Sequence, residues 1–262
     1  MKISCIQMDM RLGEVDYNYA HAAALIRETA GREHPDTVVL PETWNTGYYP
    51  EDLFAAADQD GARTKAEFSA LAKELNVNIV CGSVANRKKG GIYNTAYVFD
   101  RSGEVAAEYD KIHLFTYAKE EEHFQPGNHL CRFTLDGQRC GLIICYDLRF
   151  PELTRTLAVE GLDLLFVPAQ WPDKRSMHLQ TLARARAIEN QMFLVLCNSV
   201  GTAGSTRCGG GSAVIDPWGE YLAWARDEEE VITAEADFGV LKGIRNGINV
   251  FRDRRPELYH IS

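Results

Sequence analysis

Short β-like apolar runs alternate with amphipathic stretches along the whole chain. The pattern predicts strands at Lys2–Gln7, Thr37–Pro41, Asn78–Ser83, Tyr93–Asp100, Val105–Tyr109, Gly141–Cys145, Asp163–Pro168, Phe193–Asn198, Gly211–Asp216 and Val231–Ala236. Several are unbroken, such as VVLP ending at Pro41 and LLFVP ending at Pro168, as expected of strands covered on both faces. Helices are predicted at Tyr17–Arg32, Arg63–Leu75, Pro151–Glu160 and Ser176–Asn190; in the first, Ala20, Ala23, Ala24 and Ile26 recur at helical spacing. FDRSGEV, ending at Val105, and IDPWGEY, ending at Tyr221, read as hairpins, with Gly103 and Gly219 where a tight turn wants positive φ. Strands and helices interleave from end to end, without a linker, a low-complexity segment or a long repeat. This argues for one α/β domain over residues 1–262. The tail after Lys242 is polar and reads as irregular, and residues 243–262 are expected to contact another subunit.

Composition narrows the function classes. The chain has 262 residues, enough for one large domain, with 45% hydrophobic and 25% charged residues, an ordinary globular balance. A formal charge of -9 repels phosphate backbones and anionic membranes, so neither nucleic acid nor membrane is an expected partner. Met1–Asp9 reads as a first strand and not as an export signal, and no apolar run approaches the ~20 residues of a membrane span. A cytoplasmic location is expected. Seven cysteines, an odd count mostly inside apolar runs, suggest free thiols. No C-x-x-C occurs and no His stands at ligand spacing from a Cys pair, so no metal or cofactor is expected.

Three strand ends carry candidate chemistry: Glu42 in VVLPETWNTGYYP, Lys111 in EYDKIHLF, and Cys145 in GLIICYDLRFPE. Open α/β sheets bind ligands at the C-terminal ends of their strands. Singly, each residue has an ordinary explanation: a solvated loop acid, a surface lysine, a small core thiol. Together they bring acid, base and thiol to one end of a sheet. The Pro151-started helix after Cys145 suggests a nearby helix N-terminus that would favour the thiolate. A Cys–His pair with His113 or His178 is the competing arrangement, but no Asn or Asp orienter is evident in the local sequence.

PETWNTGY (Pro41–Tyr48), YDKIHLF (Tyr109–Phe115) and CYDLRFPE (Cys145–Glu152), in this order, resemble the nitrilase superfamily, the carbon–nitrogen hydrolases. The resemblance runs from Ile3 to about Tyr259. It implies a four-layer α-β-β-α sandwich, a homodimer or higher homo-oligomer, and a Glu42–Lys111–Cys145 triad. It also implies a second glutamate, matched by Glu120 in EEEHFQPG.

Val167–Asn198, with W-P-x-x-R-x-x-H at Trp171–His178, is similar to the omega-amidase branch, although Leu179 stands where relatives usually carry Trp. That implies a small amide substrate bearing a carboxylate, such as 2-oxoglutaramate. Arg149 and Arg175 are the candidate cations for it, and Tyr48, Phe115 and Trp171 the candidate walls. Catalysis would run through a Cys145 thioester, with Glu42 as acid and base and Glu120 holding Lys111 or the substrate nitrogen. Lys111 and the Tyr146 N–H would stabilise the oxyanion. Alternatives within the family are amidases of deaminated glutathione or of N-carbamoyl compounds. A non-catalytic member would be marked by loss of Cys145, Glu42 or Lys111, and all three are present.

Overall fold

The apolar runs pair into two separate sheets in the computed structural model, which describes residues 1–259. In chain order the strands are β1 (Lys2–Gln7), β2 (Thr37–Val39), β3 (Asp58–Gln59), β4 (Asn78–Lys88), β5 (Gly91–Phe99), β6 (Val105–Asp110), β7 (Cys131–Leu135) and β8 (Gln138–Leu142). They continue with β9 (Leu164–Ala169), β10 (Phe193–Asn198), β11 (Thr202–Ala203), β12 (Thr206–Arg207), β13 (Ala213–Ile215), β14 (Tyr221–Trp224) and β15 (Glu230–Glu235). One sheet has the order β15-β1-β2-β4-β5-β6, with β3 beside β4; the other runs β14-β13-β10-β9-β8-β7. β11 and β12 pair only with each other.

The helices are α1 (Val15–Glu33), α2 (Leu53–Ala56), α3 (Ala62–Leu75), α4 (Pro151–Val159), α5 (Ser176–Asn190) and α6 (Val240–Gly247). α1 and α3 pack on the first sheet, α5 packs on β10 and β13 with α4 beside it, and β1 and β4 touch β10 and β9 across the middle. The result is the four-layer α-β-β-α sandwich. Side-chain alternation explains its unbroken apolar runs. Ile3, Cys5, Val39 and Val80 join the cluster of Leu142, Phe166 and Val195 in the second sheet. Their neighbours Ile6, Val38, Ile79 and Cys81 pack with Tyr19, Ile26 and Phe68 of α1 and α3.

Three expectations change. The strand before Cys145 is β8, which ends at Leu142; the chain then turns at Cys145 with φ 45°. β8 begins earlier than expected because it forms a hairpin with β7 through Asp136 and Gly137, both at positive φ (48° and 79°). That is the two-residue turn geometry favoured by Asp-Gly. The tail is not irregular at its start: residues 243–247 belong to α6, where Leu241 and Ile244 are buried and Arg245 pairs with Asp163 at 3.0 Å. The last three residues of the expected subunit contact, 260–262, lie outside the described residues. Among the described residues, no helix is long and apolar enough to cross a membrane, and all seven cysteines are free and buried.

Candidate active site

The C-terminal ends of β2, β6 and β9 and the turn after β8 converge where the sheets meet. There the Glu42 N–H donates across the gap to the Ala169 carbonyl at 3.3 Å. The loop carrying Glu42 is held by β4: Ser83 Oγ accepts from the Thr43 N–H at 2.9 Å, and the Ser83 N–H donates to the Pro41 carbonyl at 3.1 Å. This approach requires Gly82. Its φ is +56°, and a Cβ there would lie 1.9 Å from the Pro41 oxygen. Gly82→Ala is therefore expected to displace the Glu42 loop. Backbone strain of this kind costs about 1–3 kcal/mol, measurable as a lower denaturation midpoint together with reduced turnover.

Glu42, Lys111 and Glu120 have fully buried side chains. Lys111 Nζ donates to Glu42 Oε1 at 2.8 Å and to both Glu120 oxygens at 2.9 Å. Of three consecutive glutamates only Glu120 is buried, and its Oε2 also accepts the Phe115 N–H at 2.6 Å. Burial alone would lower the Lys111 pKa, but the carboxylates of Glu120 and then Glu42 outweigh it. The ammonium is held charged well above the ordinary lysine range. Two residues unforeseen from the sequence complete the cluster. Asn94 Nδ2 donates to Glu42 at 2.8 Å and to Glu120 at 3.2 Å, and the Gln170 N–H donates to Glu42 Oε2 at 2.8 Å. The only sequence signal for either was a polar residue in or just after an apolar strand.

The Cys145 thiol is buried and feels the charges of both Glu42 and Lys111. Burial, followed by the Glu42 charge, pushes its pKa well above the ordinary thiol value, and Lys111 offsets only part of this. The expectation of a helix-stabilised thiolate is thus reversed. Cys145 opens its own short 3-10 turn, Cys145–Arg149, while α4 starts only at Pro151. The arrangement is a protonated thiol beside a carboxylate that can take its proton during attack. One ammonium between two carboxylates leaves the buried cluster one negative charge in excess, and a proton arriving on Glu42 neutralises it. His113 does have an acidic partner, contrary to expectation: its Nδ1 lies 2.8 Å from Asp147 Oδ1. The ring stacks on Phe150 with centroids 3.6 Å apart.

Cys145 opens into a cavity of about 420 Å³, within the range of small-molecule sites. Tyr48, Phe115, Tyr146, Trp171, Arg149 and Arg175 all line it, as do residues 203–206 of the β11–β12 hairpin. Leu179 is buried in the core and is not a lining residue. Burial, with the Glu120 charge next, raises the Tyr48 pKa well above its ordinary value and keeps the phenol neutral. Arg149 lies over Trp171 at 4.6 Å, with Nη2 3.3 Å from His178 Nδ1. Arg175 lies over Phe115 and Tyr117 at 5.3 and 5.4 Å. Among the described residues neither guanidinium has a carboxylate partner, so Arg149 does not form the structural ion pair that would have explained it otherwise. Its pKa is lowered, first by burial and further by the charge of Arg175. Among the described residues no cluster of His, Cys, Asp and Glu could hold a metal ion.

This fold agrees with comparison to known proteins. The carbon–nitrogen hydrolase family model matches residues 2–246, and the chain belongs to that family of hydrolases. A 2-oxoglutaramate amidase of Bacillus subtilis is 40% identical over 98% of this chain and 98% of its own. A carbon–nitrogen hydrolase superfamily protein of Xanthomonas campestris, solved with an arsenic adduct in its active site, is 31% identical. Its TM-score is 0.91, covering 100% of this chain and 98% of its own. A mutant of the amidase from Nesterenkonia sp. AN1 carries the acetamide moiety of fluoroacetamide covalently on its active-site cysteine. It is 25% identical with a TM-score of 0.87, covering 98% and 95% of the two chains.

Proposed function

We propose that the protein is an omega-amidase, hydrolysing the terminal amide of a small carboxylate-bearing substrate of the 2-oxoglutaramate type. The observation that carries this is the pair of guanidiniums, Arg149 and Arg175, which have no carboxylate partner among the described residues and face the cavity into which Cys145 opens. Two cations unpaired by protein acids at a partly desolvated rim favour an anionic ligand. The 40% identical relative acts on such a substrate by its name.

Glu42 accepts the Cys145 proton as sulfur attacks the amide carbon. The developing oxyanion is stabilised by Lys111 Nζ and by the backbone N–H of Tyr146 near the open start of its turn. Glu42 returns the proton to nitrogen, the C–N bond breaks, and ammonia leaves behind a thioester. Glu42 then takes a proton from water as its oxygen adds to the thioester carbon; the carboxylic product departs and the thiol is restored. Glu120 holds Lys111 in place throughout. No step calls on a metal or an organic cofactor.

Ammonia release should be compared for 2-oxoglutaramate, succinamate, glutamine, an N-carbamoyl amine and a nitrile. The first two should give the highest kcat/KM; preference for the N-carbamoyl amine would move the protein to a different branch. Arg149→Met and Arg175→Met should each cut kcat/KM for the carboxylate-bearing amides by about 10- to 150-fold, the worth of a charged hydrogen bond. A neutral short aliphatic amide should be spared. Equal losses on both substrate kinds would make the arginines structural.

We further propose a cytoplasmic homodimer or larger homo-oligomer, with the tail after α6 reaching a second subunit. Free buried cysteines support the compartment. Exposed Met177, Trp218 and Trp224 support an apolar contact surface. Sedimentation analysis tests the assembly, and a monomer at micromolar concentration would contradict it.

A further inference from the structure

The nucleophile and the lysine come from different sheets. Lys111 follows β6 of the first, whereas Cys145 follows β8 of the second. Their relative position depends on ties between the two segments, and one of these ties lies outside the residues that the mechanism above uses.

Asp147 is fully buried and makes four hydrogen bonds through its carboxylate. Oδ2 accepts from the Tyr109 hydroxyl at 2.7 Å and from the Ile144 N–H at 2.9 Å. Oδ1 accepts from the His113 N–H at 3.0 Å and lies 2.8 Å from His113 Nδ1. Its own N–H donates to the Ile144 carbonyl at 2.9 Å. The partners flank the two reacting groups: Tyr109 and His113 lie two residues either side of Lys111, and Ile144 immediately precedes Cys145. Four donors occupy the lone-pair directions that a carboxylate offers. Burial, followed by the charge of Asp147, raises the Tyr109 pKa far above the ordinary phenol value, so the hydroxyl remains a donor.

Cys145 has φ 45°, a left-handed conformation that costs a side-chain-bearing residue free energy and persists only where its surroundings impose it. The carboxylate and N–H of Asp147 grip both backbone polar groups of the preceding residue.

We infer that Asp147 is a positioning residue for the reaction: it fixes the strained turn at Cys145 and, through the same carboxylate, the segment that carries Lys111. The inference rests on Cys145 being the nucleophile. Asp147 touches neither substrate nor reacting atoms; it acts through the distance between sulfur and ammonium.

Asp147→Asn keeps the size but turns one acceptor into a donor facing either Tyr109 and Ile144 or the His113 N–H. Tyr109→Phe removes a single bond and tests the same tie where the asparagine protein fails to fold. Both should be assayed with 2-oxoglutaramate at least 15 °C below their melting temperatures, beside Cys145→Ala. Asp147→Asn should lower kcat at least about 30-fold with KM changed less than about threefold, and slow iodoacetamide labelling of Cys145 at least about fivefold. Tyr109→Phe should lower kcat about three- to tenfold. The double variant should fall no further than Asp147→Asn alone, because both substitutions cut the same tie. A merely structural aspartate would lower the melting temperature while each folded molecule kept the wild-type kcat and labelling rate, and that result would overturn the inference. Activity surviving in Cys145→Ala would instead overturn the nucleophile assignment beneath it.

Discussion

Replacing Cys145 with alanine is expected to leave the fold intact and to reduce ammonia release to background. The thiol is buried beside Glu42 and opens on the cavity floor. Removing it deletes one sulfur and leaves the Lys111–Glu42–Glu120 hydrogen bonds untouched. The strained φ at position 145 is expected to persist, since alanine meets the same backbone restraints. Stability should therefore change by no more than about 1–2 kcal/mol, the usual range for a small core change. The other six thiols cannot substitute: five lie in strands, and Cys208, although it lines the same cavity, has no lysine or glutamate hydrogen-bonded beside it among the described residues. Circular dichroism and an ammonia assay on the same preparation check both halves. Turnover persisting above one-thousandth of wild type would remove Cys145 from the mechanism.

Lys111→Ala is expected to damage turnover and stability together. One ammonium faces two carboxylates, all three with fully buried side chains. Its removal leaves uncompensated buried charge, which typically costs about 3–5 kcal/mol. In the reaction it removes an oxyanion donor, a loss of about 10²–10³ in kcat with little change in KM. Because the Lys111 pKa is raised above an already high ordinary value, the wild-type ammonium stays charged between pH 6 and 9. An activity loss within that window then has to come from another group. A rise in KM at unchanged kcat would make Lys111 a binding residue.

Much of this site was written in local sequence. Glu42 and Cys145 stand at the ends of apolar runs, and Lys111 just after a predicted strand; runs such as VVLP leave no polar face and read as buried strands. Glu120 is distinguished from Glu121 and Glu122 in the sequence only by its distance from Phe124 and Gly127, and it is the one of the three whose side chain is buried. Other features depended on contacts between distant segments. Asn94 and Gln170 reach Glu42 from 52 and 128 residues away, and Asp147 meets His113 across 34 residues. No local pattern encodes such pairings. The upward shift of the Cys145 pKa is hidden from the sequence for the same reason: desolvation arises only when both sheets close over the thiol, whereas a helix start can be seen in sequence. The β7–β8 hairpin is different, since Asp136-Gly137 between two alternating runs is a legible turn signal. At α6 the buried Leu241 and Ile244 are too short a repeat to stand out from a polar tail.

The central claim is that amide cleavage passes through an acyl group on Cys145. The most direct measurement is acid quenching of wild-type enzyme during turnover of succinamate, followed by peptide mass spectrometry. A thioester on the Cys145 peptide is predicted, with the mass of the substrate less ammonia and lability to hydroxylamine. An adduct on Cys208, or none on any cysteine while ammonia is being released at the steady-state rate, would contradict it.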